Sequence, residues 1–221
     1  MTATTWATLD KATGGLSAPG KMPGAAWSIP AEFCKVGSIL REKVPNSPCA
    51  KCYALKNRYV FPNVRAALAR RHATYLADPD AWAVAMEASI RKKGLPEFRW
   101  FDAGDIIDVR MLRLIAKIAR QLPDIAFWLP TQQRAEVREF LASEVRPDNL
   151  TIRLSAPLIG LELRPATQGL LAGIPVSTVR TKGTEARKSE WQCPAPEQGH
   201  KCVNCRACWD NDVPVVSYKG Q

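Results

Sequence analysis

The chain has 221 residues, 46% of them hydrophobic, and carries 31 Lys and Arg against 21 Asp and Glu, a formal net charge of +10. That composition excludes a disordered chain, and no apolar run approaches the ~18 residues a membrane span needs. The length suits one domain, or one domain with a small appendage, and a chain of this size buries enough surface to fold without staples.

Residues 1–24 are rich in Thr, Ala, Gly and Pro and read as a loose N-terminal lead-in. They lack the basic start and apolar centre of a signal peptide, which predicts a cytoplasmic protein. Residues 25–180 read as an α/β core. Ala26 to Pro30 is a short strand stopped by proline. Residues 31–52 form a long cysteine-bearing loop with Pro45 and Pro48. Pro62 and Asn63 open a helix, with Val64, Leu68, Tyr75 and Leu76 broadly at helical spacing. Asp80 is placed to cap a second helix, in which Trp82, Met86 and Ile90 recur every four residues until Gly94.

Glu97 to Phe101 reads as the second strand. Met111, Ile115, Ile118 and Leu122 make an amphipathic helix stopped before Pro123. Strands follow at Ile125–Leu129, Leu150–Leu154 and Ile174–Val179, with a helix at Arg134–Val145 after the first of them. Leu161 to Leu171 fits neither template, with Pro165 inside it. Alternating strands and helices with short connectors predict parallel βα units. About five such strands give a partial (β/α) barrel-like parallel sheet, too few for a closed eight-stranded TIM barrel. Residues 181–221 lose this periodicity, hold four cysteines, and read as a cysteine-rich C-terminal metal module that needs a metal for order.

The charge is concentrated. Residues 35–75 carry nine basic side chains against Glu42 alone, a local excess of +8. Such a stretch attracts nucleic acid or another polyanion, or is simply a solvated basic face.

Seven cysteines in a reducing compartment point to ligation rather than disulfides, and an odd number does not close a disulfide set. They divide into two groups. Cys193, Cys202, Cys205 and Cys208 are spaced C-x8-C-x2-C-x2-C. Bacterial ferredoxins hold a 4Fe-4S cluster with cysteines at such two-residue intervals and a proline after the remote one, and Pro194 follows Cys193 here. Zinc is the alternative for this group, since four thiolates also satisfy a tetrahedral site. Cys34, Cys49 and Cys52 are spaced C-x14-C-x2-C. Three thiolates on a cubane leave one iron open to a small-molecule ligand. A zinc site completed by His72 or His200, or an unligated Cys34, are the plainer readings.

Asp102, Gly104 and Asp105 directly follow the second strand, where open parallel sheets bind their ligands. Gly104 permits close backbone approach, and the two acids suit an ammonium, a ribose hydroxyl or an arginine. Helix capping by Asp105 or Asp108 is the ordinary alternative. Thr131, followed by Gln132 and Gln133, and Ser155 end later strands at the same rim. Lone His72 reads as a surface residue.

Four stretches carry a resemblance. Cys49-Ala-Lys-Cys52-Tyr53-Ala54 with Tyr59 resembles the C-x-x-CYA box of the phage gene-product-88-like family. Arg99 to Asp105 resembles its strand ending in an HDSGD-type motif, Ile118 to Phe127 its next helix and strand, and Cys202 to Asp210 the cysteine-rich ending of some members. A second phage family, gene-product-37/68-like, is similar in weaker form and is itself radical-SAM-like. That resemblance implies cluster ligation by Cys34, Cys49 and Cys52, and S-adenosylmethionine near Asp102 to Asp105. The first cysteine interval is longer here than in radical SAM enzymes, and Asp105 stands where they have a glutamate. A phage origin implies the host cell cytoplasm. The resulting expectation is an iron–sulfur protein with one or two clusters and radical-SAM-like character. The alternative is a non-catalytic nucleic-acid-binding protein with a structural zinc or iron–sulfur site.

Overall fold

The computed structural model describes residues 5–220. Residues 1–4, where the lead-in begins, and Gln221, where the tail ends, lie outside the described residues. The elements run α1 (Trp6–Thr13), β1 (Ala25–Trp27), α2 (Lys35–Lys43), α3 (Pro62–Ala77), α4 (Pro79–Lys93), β2 (Glu97–Trp100), α5 (Val109–Gln121), β3 (Ala126–Thr131), α6 (Arg134–Ser143), β4 (Leu150–Ser155), β5 (Val176–Val179), β6 (Trp191–Gln192) and β7 (Val215–Tyr218).

All seven strands are parallel and lie in the order β1-β2-β3-β4-β5-β7-β6. The first five neighbour one another in chain order, as in an unclosed arc of a βα barrel. The α/β expectation of a partial, barrel-like parallel sheet holds. The five predicted strands are present, and the tail adds two more, with β7 inserted beside β5. Sequence pattern misses β6 and β7 because a two- or four-residue strand among cysteines and prolines has no periodicity to read.

Strand alternation assigns two faces. Phe98, Trp100, Phe127, Leu129, Leu150, Ile152, Leu154, Val176 and Val215 point into the main core with α4, α5 and α6. Trp82, Met86 and Ile90 of α4 and Met111, Ile115 and Ile118 of α5 meet them there, as their spacing predicts. The opposite face presents Trp128 and Val216, and these pack under Ala207, Cys208 and Trp209 of the tail. β4 is central and is buried on both faces.

Four local expectations are corrected. The lead-in is not loose: Thr5 caps α1, Gly14 closes it at φ 76°, and Leu9 and Thr13 are buried. So short a helix is marginal alone. It is held by docking on α3 and α4, with Trp27 Nε1 donating to the Thr13 carbonyl at its end and Arg71 Nε to the Gly15 carbonyl just beyond, each at 2.7 Å. The cysteine loop contains α2 and two short 3-10 turns, Ala31–Phe33 and Pro48–Lys51. The cap of α4 is Asp78, not Asp80. Its carboxylate accepts the Asp80 and Ala81 N–H groups at 3.1 and 3.0 Å, and Pro79 fills the first position that its fixed φ suits. Leu76 is 58% exposed, and the buried face of α3 is Leu68, Arg71 and Tyr75.

Residues 156–175, between β4 and β5, form no helix; Gly160, Gly169 and Gly173 all take positive φ there.

Candidate functional site

A cavity of about 410 Å³ opens at the carboxyl ends of β2 to β5 and β7. The predicted residues Cys34, Cys49, Cys52, Asp102, Gly104, Asp105, Thr131 and Ser155 all line it. They come from positions up to 121 residues apart, and the parallel sheet gathers them because every strand delivers its end to the same rim. The four tail cysteines are not in this lining. Cys193, Cys205 and Cys208 pack with Trp128, Trp209 and Val216 on the face of the sheet opposite the main core.

The β2 end is built tightly. Phe101 takes φ 55°, an unusual conformation for a side chain of its size, and turns the chain out of the strand. Gly104 takes φ 82°, and a Cβ there would run into the Ile29 side chain and lie 2.7 Å from the Ile29 carbonyl oxygen. The glycine is therefore required by close approach to the β1 end. Asp102 is anchored on both sides. Ser28 Oγ donates to its Oδ1, and Tyr59 Oη donates to Oδ2 at 3.0 Å. Its carbonyl accepts from Tyr53 Oη at 2.5 Å. Tyr53 adjoins Cys52, so this bond ties the cysteine segment to the sheet.

Asp105 is buried. Its Oδ1 accepts from Thr131 Oγ1 at 2.6 Å and from its neighbour Ile106 N–H at 2.8 Å, and Oδ2 accepts from Gln132 N–H at 2.9 Å. Burial nevertheless pushes its carboxyl up to about 6, against those three donors. Asp108, not Asp105, caps α5, accepting from Met111 N–H at 2.8 Å. Gln132 Nε2 reaches the Ala156 carbonyl at 3.0 Å, which stitches the β3 end to the β4 end.

The three thiols sit above this rim. Burial pushes Cys34 well above the ordinary thiol range, reinforced by Asp105 and by Cys52 and Cys49. Cys49 is also raised by burial, with Ser47 working the other way. Gly37 of α2 lies close against them: a Cβ there would be 3.0 Å from Cys34 Cβ and in ordinary contact, 3.7 Å, with both the Cys34 and the Cys49 sulfur. Among the described residues, no three His, Cys, Asp or Glu side chains converge tightly enough for one metal ion. A tetrahedral zinc needs its sulfurs about 3.8 Å apart, given a Zn–S bond of about 2.3 Å. A cubane tolerates a wider spread, since each thiolate binds a different iron. His72 is half-buried and stacks on Phe33 with the ring centroids 4.1 Å apart.

Sequence reasoning missed the wall of the site. Arg99 leaves β2 on the face opposite Phe98 and Trp100 and stacks over Trp128 at 4.3 Å. Its Nε and Trp128 Nε1 are buried without a hydrogen-bond partner. Tyr218 of β7 also lines the cavity, and its hydroxyl lies 3.1 Å from Cys208 Sγ. Burial pushes the Cys208 thiol up to about 12, although Tyr218 and Arg153 favour the thiolate. Arg99 and Tyr218 thus stand between the two cysteine groups. Alternation puts Arg99 on the face opposite Phe98 and Trp100, where a charge looks like an ordinary solvent-facing strand residue, and nothing local marks Tyr218.

The tail is fixed by the sheet. Arg153, fully buried, donates to the carbonyls of Val176, Val213, Ala207 and Asp210 at 2.9 to 3.0 Å. Trp209 Nε1 donates to the Phe98 carbonyl at 3.0 Å. Cys205 N–H closes a turn onto the Cys202 carbonyl at 2.8 Å. Val203 within that turn takes φ 44°, which a β-branched residue adopts only when its surroundings impose it.

A family model described as Gene product 88 matches residues 3–215, which takes in all seven cysteines and the cavity lining apart from Tyr218 and Lys219. Neither the curated proteins nor the solved structures include a match.

Proposed function

The chain belongs to the gene product 88 family, and for this member we propose an iron–sulfur function in which Cys34, Cys49 and Cys52 hold a 4Fe-4S cluster beside the cavity. One observation carries the reading: three thiols, two strand-end acids and two strand-end hydroxyls line a single cavity. The donor set fits the group. Burial and mutual repulsion disfavour free thiolates at Cys34 and Cys49, so the site is suited to thiolates only with a cationic core among them. Gly37 keeps the space beside both sulfurs clear of a side chain. When bound, such a cluster supplies an open iron for a ligand and a one-electron donor.

The chain's own groups then select the ligand. Asp102 and Asp105 offer carboxylates, whereas Arg99, Lys51 and Lys219 offer cations in the same lining. Both signs in one cavity suit a zwitterionic head such as that of S-adenosylmethionine, the ligand of the radical-SAM-like part of this proposal. Ser28, Tyr53 and Tyr59 position Asp102, and Thr131 positions Asp105. The tail cysteines hold a second, closed site, with zinc as the alternative there.

Anaerobic metal analysis with electron paramagnetic resonance tests this. Wild type is expected to be brown and to carry about seven to eight iron atoms if both sites hold cubanes. Cys49→Ala is expected to lose about four of them and one of two resonance signals. A colourless protein with zinc alone overturns the reading. Release of 5′-deoxyadenosine from S-adenosylmethionine and dithionite tests the enzymatic half, and its absence removes that half.

A further inference from the structure

Exposed cations are concentrated between residues 35 and 65, the stretch that also carries Cys34, Cys49 and Cys52. Among the described residues, every ion pair uses Arg91, Arg110, Arg113, Arg120, Arg164, Arg187 or Arg206. Those arginines are neutralised by the protein itself. Arg70 and Arg71 are also committed, to the carbonyls of Gly14 and Gly15. Lys35, Lys43, Lys51, Lys56, Arg58 and Arg65 are exposed and have no acidic partner within 4.0 Å. Glu32 and Glu42 are the only acids between residues 31 and 77.

These six cations belong to one connected set of elements. The 31–33 turn packs on α2 and on the 53–55 turn, α2 packs on the 48–51 turn, and the 57–60 turn bridges 53–55 to α3. Lys51 also lines the cavity. Large rings are exposed among the charges: Phe33 at 52%, Tyr53 at 43% and Phe61 at 53%. Phe33 is braced from behind by His72. Unpaired cations alone would suit any polyanion. Interleaved exposed rings add a preference for planar, unpaired bases, which stack on aromatic faces only when they are not stacked in a duplex.

We propose that this rim docks single-stranded nucleic acid, its phosphates on the six cations and its bases on Phe33, Tyr53 and Phe61. That the strand presents its reacting group to the cavity rests on the iron–sulfur reading above; the docking itself does not. Tyr53 is the link, since it belongs both to the exposed rim and to the cavity lining.

Fluorescence anisotropy with labelled single strands of about 16 nucleotides, DNA and RNA, and with the matching duplex, tests the proposal. Single strands are expected to bind more tightly than the duplex. The logarithm of affinity should fall against the logarithm of salt concentration with a slope of about −0.7 for each phosphate held. A Lys35→Glu, Lys56→Glu, Arg58→Glu variant should flatten that slope by about 2. Phe33→Ala and Phe61→Ala, both surface changes, should each weaken single-strand binding at least about fivefold. Preference for the duplex, no effect of either ring, or an equally tight complex with polyglutamate would overturn the proposal. Iron content measured on the same preparations separates the two readings. Iron without strand binding defeats this one, and strand binding without iron defeats the cluster.

Discussion

Asp105 shows burial prevailing over hydrogen bonding at one residue. Three donors favour its charged form, yet burial holds the carboxyl at about 6 against an ordinary 3.8. The folded chain therefore binds this proton more tightly than the unfolded chain does. The stabilisation is complete below the unfolded value and is lost as pH rises through 6. Its size is about 3 kcal/mol at 1.36 kcal/mol per unit. Asp105→Asn, neutral throughout, is expected to remove this slope between about pH 4 and pH 6 while lowering stability by about 1 kcal/mol for the mismatched donor at Gln132. Urea midpoints across that pH range check it, and parallel curves for the two proteins would contradict it. Part of this residue-level picture is legible in sequence. Asp-Ala-Gly-Asp after a strand marks a rim, but that Asp102 is held by Ser28 and Tyr59 depends on residues 74 and 43 positions away.

At the scale of elements, the long helices follow from spacing because an apolar stripe must find a core. Trp82, Met86 and Ile90 do so on α4, and Met111, Ile115 and Ile118 on α5. Their ends depend on single side chains. Asp78 satisfies two orphan N–H groups of α4, so Asp78→Ala is expected to cost about 1 kcal/mol, measurable as a lowered urea midpoint with unchanged slope. Asp80→Ala, which leaves the cap intact, is expected to cost less. The short elements follow a different rule. α1, α2 and β6 lack the length for a pattern, and each is held by what it packs against: α3 and α4 for α1, the 48–51 turn for α2, and β7 for β6. Their formation is a tertiary event, and for that reason the lead-in and the cysteine loop read as irregular.

In the whole molecule, a seven-stranded parallel sheet has two different faces. Helices cover one, as sequential βα connections require. No helix remains for the other, and the cysteine tail covers it. Arg153 is the main tie, a buried cation whose charge is shared among four carbonyls. Arg153→Met is expected to destabilise the protein by at least about 3 kcal/mol, because it leaves those carbonyls buried without donors. Limited proteolysis should then cut beyond residue 180 before the core, and a tail that stays resistant would show that other contacts suffice. No helix among the described residues is long and apolar enough to cross a membrane.

Hydrophobic periodicity and strand–helix alternation determined the parallel α/β core, since burying one face of each element is a local, repeating demand. Cysteine spacing likewise divided the thiols into three and four, because cysteines on one short segment stay close in space. The wall between the groups was decided only in three dimensions. Arg99, Trp128 and Tyr218 come from β2, β3 and β7, and no local pattern marks residues whose meeting depends on strand order. The charge excess at residues 35–75 was visible as a sum from the start. That six of those cations lack acidic partners, and that one of them, Lys51, lines the cavity, is a consequence of how the chain folds.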